Sequence, residues 1–306
     1  MKFQILKTSI DKINCLKHKT CCTARSACSM RLVACSLLMI LASSCIPDPL
    51  AVDDIAQLKP KIVVSTQIVP GGALVVLVTK SIGALDAGRG SDPQALISQI
   101  ALDSAKVWLT HEGRIDSLPD LGNGLYGNIN LNLQANRDYT LNIRTKELGE
   151  VSAVAQLKSQ VPFQTIDAKL YTSIYDSAAL VNYSLQDPIG PNWYMINVQK
   201  YSQKNDINAY LNPRVFTRLV RDSINEGKIV KEEFRVLFRK FSKGDTVAVF
   251  LSNISEEYYG FLKLRNDRRY NASAFASEPL NFNSNIKNGL GYFNMHLPDV
   301  RIFVLE

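Results

Sequence analysis

Cysteine is missing from residue 46 to the C-terminus: all six cysteines of the chain lie within its first 45 residues. Disulfides therefore cannot staple whatever folds downstream, and stability has to come from buried apolar cores. Histidine is nearly as scarce, with His111 and His296 the two that follow residue 44. The patterns H-E-x-x-H, G-x-S-x-G, the Walker loop and the EF-hand loop do not occur, which removes the commonest zinc, serine-hydrolase, nucleotide and calcium sites. His111 precedes Glu112-Gly113 and His296 lies beside Pro298 and Asp299, so both read as turn histidines rather than bases or ligands. The cluster Cys21-Cys22 and Cys28 has His18 nearby but nothing downstream to complete a tetrahedral set. We expect no enzyme, no metal and no cofactor.

What is present at the N-terminus is a leader. Arg31 precedes a short apolar run from Leu32 to Leu41, too short to span a bilayer, and Ala42, Ser43 and Ser44 then supply small side chains before Cys45. This order is that of a bacterial lipoprotein signal, with residues 1–44 as signal peptide and Cys45 as the lipidated first residue of the mature chain. Residues 1–29 lack an apolar core of their own, and Met30 directly before Arg31 reads as an alternative start that would leave 1–29 untranslated. Residues 1–44 carry seven basic side chains and one acidic one, so their removal turns 35 basic against 28 acidic into 28 against 27. A mature chain so close to neutral has no electrostatic footprint for nucleic acid.

Residues 45–60 read as a lipidated tether. Pro47 and Pro49 disfavour helix, and Asp48, Asp53 and Asp54 keep the segment solvated. Position 46 is isoleucine rather than the aspartate that resembles an inner-membrane retention signal, which favours the outer membrane; its cell-surface and periplasmic faces both stay open. Two or three acyl chains, each methylene worth about 0.8 kcal/mol when buried, would hold the protein firmly without a transmembrane helix.

The mature chain is expected to be mainly β. Lys61 to Val69 and Ala73 to Thr79 are rich in β-branched residues around Pro70-Gly71-Gly72, a hairpin signal. Ala105 to Thr110, Gly127 to Leu133, Tyr139 to Arg144 and Val151 to Leu157 follow at the spacing of a sandwich, with Tyr139, Leu141 and Ile143 on one buried face. Asp92-Pro93 would cap a short helix carrying Leu96, Ile97, Ile100 and Ala101 inward. Val161-Pro162 separates a first β-sandwich domain, 61–161, from a second β domain, 162–306. The second would use strands at 168–175, 179–185, 193–201, 214–222, 229–241 and 246–252, with a hairpin turn at Ser242-Lys243-Gly244-Asp245 placing Phe234, Val236 and Phe238 on one face. A short helix near the C-terminus is expected to be capped by Ser255, with Tyr258, Phe261 and Leu262 turned inward.

The chain resembles the family of Bacteroidota outer-membrane lipoproteins known as domain of unknown function 4249 (DUF4249). The matching stretches are the lipobox cysteine followed by Lys61-Ile62-Val63-Val64, then Ser104-Ala105-Lys106-Val107-Trp108-Leu109, Gly124-Leu125-Tyr126 and Asp138-Tyr139-Thr140-Leu141. Further on come Val215-Phe216, Gly227-Lys228, Gly244-Asp245-Thr246-Val247, Glu257-Tyr258-Tyr259 and Asn285 to Phe293. The resemblance implies an immunoglobulin-like first domain and a membrane-anchored lipoprotein working beside a TonB-dependent outer-membrane transporter. It implies no catalytic residues. Ala42 departs from the leucine usual at that position of the lipobox.

Three further features carry functional and structural readings side by side. Gly289 and Gly291 with Tyr292 and Phe293 offer close backbone approach and aromatic anchors for a partner, or a tight turn tucking Leu290 and Phe293 into the core, which is the favoured reading. Residues 213–243 hold nine basic against four acidic side chains; a solvated sheet face is the plainer account beside contact with lipopolysaccharide phosphates or an acidic transporter surface. Aspartate followed by Ser or Thr and an apolar residue recurs at Ser104, Ser117, Ser177, Ser223 and Thr246. That motif resembles the O-glycosylation signal of exported Bacteroidota proteins, while Asp-Ser and Asp-Thr are also good turn residues. The functional expectation is a non-enzymatic lipoprotein that binds a ligand or protein partner as a transporter accessory; the alternative is a structural or adhesive cell-surface lipoprotein with no transport role.

Overall fold

Runs of β-branched residues with period-two burial build the N-terminal sheets. β1 (Ile62–Val69) and β2 (Ala73–Lys80) pair antiparallel, turning Ile62, Val64 and Ile68 of the first and Leu74, Val76 and Val78 of the second toward one core. In the computed structural model the described residues are 59–69, 73–82, 93–174, 176–201, 215–221, 227–236, 240–271 and 283–306. The expected leader, Cys45, most of the expected tether, Pro70-Gly71-Gly72, Ser223 and Phe238 lie outside them. A helix, α1 (Pro93–Ile100), leads to β3 (Lys106–His111), β4 (Arg114–Ser117), β5 (Asp120–Gly122), β6 (Leu125–Asn128), β7 (Asp138–Thr145) and β8 (Gly149–Gln156). Ile97 on α1 is exposed rather than inward, with Leu96 and Ile100 half-buried.

These strands form two sheets, β1-β2-β6-β5 and β4-β3-β7-β8. That is the ABED and C′CFG arrangement of an immunoglobulin-type sandwich. Tyr139 at the start of β7 reproduces a further mark of the fold: its hydroxyl accepts from the Gln134 backbone N–H at 2.7 Å while the ring is fully buried. The Glu112-Gly113 turn joining β3 to β4 has both φ values positive, 45° and 78°, as a two-residue type I′ hairpin requires.

A second core begins at Val161. β9 (Phe163–Thr172), β10 (Ser177–Gln186) and β13 (Ile229–Arg235) make one sheet, and β11 (Trp193–Lys200), β12 (Phe216–Arg221), β14 (Thr246–Ile254) and β16 (Asp299–Val304) make the other. Val181, Leu185, Tyr194, Ile196, Val249 and Leu251 fill the space between them. The turn at Ser242 to Asp245 exists, with Asp245 N–H donating to Ser242 O at 3.0 Å, but it is not a hairpin. β13 pairs with β10 and β14 with β11 and β16, so the turn carries the chain from one sheet to the other. The helix after Ser255, α2 (Glu256–Asn271), packs Tyr258 and Leu262 on Met195 and Ile254. Among the described residues no helix is long and apolar enough to cross a membrane.

The C-terminal segment crosses back. Residues 285–297, assigned by sequence to the second domain, run into the first: β15 (Leu290–Tyr292) pairs parallel with β1, and Lys287 N–H donates to Ser152 O on β8 at 2.8 Å. This strap bridges the edges of the two N-terminal sheets and inserts Ile286, Phe293 and Met295 into their core. Thr66 and Asn294 exchange hydrogen bonds at 3.0 and 3.2 Å, tying the strap to β1. By these contacts Leu58–Glu306 is a single compact unit.

His296 lies at the end of that strap, 1% exposed, its Nδ1 accepting from the Asn294 amide at 2.9 Å. Burial pushes its pKa down from 6.5 to about 4. The unfolded chain therefore takes up this proton first as pH falls, so stability present above pH ~6.5 declines toward pH ~4, by roughly 3 kcal/mol in all. Urea unfolding across this range is expected to show the decline in the wild type. His296→Asn, which keeps an acceptor near Nδ1 and cannot protonate, should flatten it; an unchanged slope would remove His296 from the account.

Candidate functional site

Helix α2 and the strap meet at a cleft, and the helix sequence explains its shape. Ser255 Oγ accepts from Tyr258 N–H at 3.2 Å, and Glu256 and Glu257 occupy the first turn, where carboxylates favour the positive end of the helix dipole. Tyr258 and Leu262 face the sheet, which leaves Glu257, Gly260, Leu264 and Asp267 along a neighbouring stripe at helical spacing. That stripe, with Asn283, Ser284 and Asn285 opposite, lines a cleft of about 520 Å³, and Tyr292 also borders it, within the size range of small-molecule sites.

Aromatic packing holds the cleft open. Tyr292 sits 5.1 Å, centroid to centroid, from both Tyr258 and Phe261, and those two stack on each other at 6.0 Å. Asn285 fixes the strap wall, donating to Phe293 O at 2.7 Å and accepting from Phe293 N–H at 2.9 Å. A Cβ on Gly260 would meet nothing within 4 Å, so the glycine widens the groove. Burial first, and then the Glu257 carboxylate, push the Tyr292 phenol up to about 12. It remains a neutral hydrogen-bonding group at any physiological pH.

The cleft offers amide, carboxylate and phenol groups. The two lining carboxylates, Glu257 and Asp267, stand ten residues apart on one helix, about 15 Å along its axis at 1.5 Å per residue. That exceeds the separations of about 5 to 9.5 Å used in glycoside hydrolysis. Lys263 pairs with Asp267 at 3.8 Å. Among the described residues no group of three His, Cys, Asp or Glu side chains is placed to hold a metal.

A second polar cluster lies between the two C-terminal sheets. Arg218 grips Glu232 through two bonds of 2.8 and 3.2 Å, and the Tyr183 hydroxyl donates to the same carboxylate at 3.0 Å. Desolvation raises the Glu232 carboxyl, but the Arg218 and Tyr183 bonds together outweigh it and hold the group below its ordinary range. Phe216 stacks on Phe234 at 5.6 Å directly beside it. This is a structural clip between edge strands β12 and β13, and it accounts for part of the basic 213–243 segment. Arg235, 3.8 Å above the Tyr171 ring, accounts for another.

The sequence-nominated residues are dispersed. Gly289, Gly291, Tyr292 and Phe293, nominated as partner contacts, are used inside the fold: Phe293 is fully buried in the first core, and Cβ atoms at the two glycines would collide with backbone of β1. Of the four, Tyr292 alone reaches the cleft. Ser104 and Ser117 are exposed, Thr246 is half-buried, and Ser177 donates its hydroxyl to Phe241 O at 2.6 Å. The aspartates before them have turn roles. Asp103 accepts from Gly124 N–H, Asp116 pairs with His111 at 2.9 Å, Asp176 accepts from Ser177 N–H at 2.8 Å, and Asp245 accepts from Ser242 N–H at 2.8 Å. His111 also lies against Tyr139 at 4.9 Å. Sequence reasoning missed Gly260 as a site residue; a glycine in the interior of a helix was the available signal, since it costs about 1 kcal/mol against alanine.

No curated protein sequence matches the chain. The model of a domain of unknown function, DUF4249, matches residues 48–298, covering the first sandwich, the strap and the second sandwich up to its last strand. The chain belongs to the DUF4249 family.

Proposed function

We propose that this protein is a non-enzymatic lipoprotein, anchored in the outer membrane through acylated Cys45, that binds a ligand or partner in the cleft between α2 and the strap as an accessory of a TonB-dependent transporter. The anchoring rests on the leader, whose apolar run and small residues end at Cys45. The binding rests on one observation, a cleft of about 520 Å³ bordered by Tyr292, with an unfilled glycine and amide and carboxylate groups along its rim. A catalytic reading has less support, because the cleft's carboxylates are set far apart along one helix.

The test is purification of the native protein in mild detergent with identification of what co-elutes. A TonB-dependent transporter in the eluate is the expected result; an envelope lipoprotein that elutes alone favours the structural or adhesive reading. Gly260 separates the cleft from the rest of the surface. Gly260→Ala is expected to raise stability by about 0.5–1 kcal/mol, since helix propensity improves and nothing is struck. Gly260→Phe should fill the groove, leave urea unfolding near the wild-type value and weaken association with the transporter.

A further inference from the structure

The outer face of the β4-β3-β7-β8 sheet is patterned in rows. Inward residues Val107, Leu109, Tyr139, Leu141, Ile143, Val151 and Ala153 belong to the core, so their neighbours point out. Strand register aligns Ser117, Trp108, Asn142 and Ser152 in one row and Ile115, Thr110, Thr140 and Val154 in the next. Within the four strands neither row contains a charge; Lys287 of the strap stands beside Ser152 at the end of the first. Ile115 is 71% exposed and Val154 51%.

Charges stand at the two ends, with opposite sign. At one end are Lys106, Arg144 and Glu150, where Arg144 and Glu150 pair at 2.8 Å and leave Lys106. At the other, Arg137 pairs with Glu112 at 2.7 Å and leaves Asp138. Between them the Asn142 amide donates to Thr110 Oγ1 and to Thr140 O, both at 3.3 Å. Covering the face would leave that amide paired. Arg144 lies 5.7 Å over the Trp108 ring and holds it against the sheet.

We infer that this face pairs with its counterpart on a second copy of the chain, about a two-fold axis running across the strands between the two uncharged rows. That operation sets each row against the other. Ile115 then faces Ser117 of the second copy, Val154 faces Ser152, and Trp108 faces Thr110, so every bulky side chain meets a small one. Arg144 of each copy meets Asp138 of the other, and Lys106 meets Glu112. An uncharged centre holding a tryptophan, with complementary charges at the rim, is the composition of a specific interface. Strand spacing of about 4.8 Å and rise of about 3.4 Å per residue give the face on the order of 400 Å² per copy, so the dimer belongs to the weak, concentration-dependent class.

The experiment uses the full chain in mild detergent, with light scattering corrected for bound detergent over a rising protein concentration. The wild type should pass from monomer to dimer. Arg144→Asp and Asp138→Arg, both exposed positions, should each weaken dimerisation roughly tenfold or more by opposing like charges twice per dimer. The double variant should return to within about threefold of wild type, because the swap restores both contacts. Thermal unfolding of each variant controls for fold. A wild type that stays monomeric, a dimer indifferent to either single reversal, or a double variant without rescue would each overturn the inference.

Discussion

Gly291→Ala is expected to cost about 4 kcal/mol or more, a large share of the stability of an ordinary domain. Gly291 has φ of +99°, and a Cβ built there lies 1.9 Å from Val64 O and 2.9 Å from Val64 N and C. The obstacle is backbone in the middle of β1, so no side chain can swing aside. β15 would have to leave β1, taking Tyr292 and Phe293 with it. Gly244→Ala is the matched control, since its φ of +88° is equally unfavourable to alanine but its Cβ would meet nothing within 4 Å. That variant should lose only about 1 kcal/mol. Equilibrium urea unfolding of both separates close approach from backbone strain. Equal losses would mean that the parallel pairing of β15 with β1 contributes little, and unchanged melting of Gly291→Ala with lost partner binding would restore the partner-contact reading of this segment.

Ending the chain at residue 161 is expected to abolish folding of the first sandwich, although that sandwich contains a complete ABED and C′CFG strand set. Ile286, Phe293 and Met295 are each 5% exposed or less in its core, and each contributes about 1.5–3 kcal/mol by burial. Their combined loss is comparable to the whole stability of an ordinary domain, about 5–15 kcal/mol. The truncation also strips the partner from the outer edge of β1. A fragment covering 59–161 should show no cooperative melt and should bind a dye specific for exposed apolar surface. Adding a peptide covering 283–298 should restore cooperativity in proportion to its concentration. A stable, cooperative fragment without the peptide would show that the strap is an attachment rather than part of the core.

The strap is also where reading the chain residue by residue stops. Period-two alternation in Tyr139-Thr140-Leu141-Asn142-Ile143 places the buried face correctly, and β10, β11 and β14 fall within a residue or two of the expected spans because each is a short run rich in apolar and β-branched residues. The pairing of β15 with β1 joins residues more than two hundred positions apart, for which local propensity holds no signal. Gly289 and Gly291 stand out in the sequence, but the atoms that require them, Val64 O and Ile62 O, belong to another part of the chain. Ser242 to Asp245 shows the converse error. Turn chemistry was legible there, yet turn residues do not say whether the strands they join pair with each other. The Arg218, Glu232 and Tyr183 clip and the Gly260 groove were hidden for the same reason, each depending on which strands or segments become neighbours.

The proposed membrane attachment depends on a single residue, Cys45, and mass spectrometry of the N-terminal peptide of the native protein tests it most directly. Material extracted from cell envelopes is predicted to begin at Cys45 and to carry a mass increment for diacylglycerol on its sulfur, with a further acyl chain on its amino group. A soluble protein whose N-terminal peptide starts at Met1 or Met30, with Cys45 unmodified, would contradict the account.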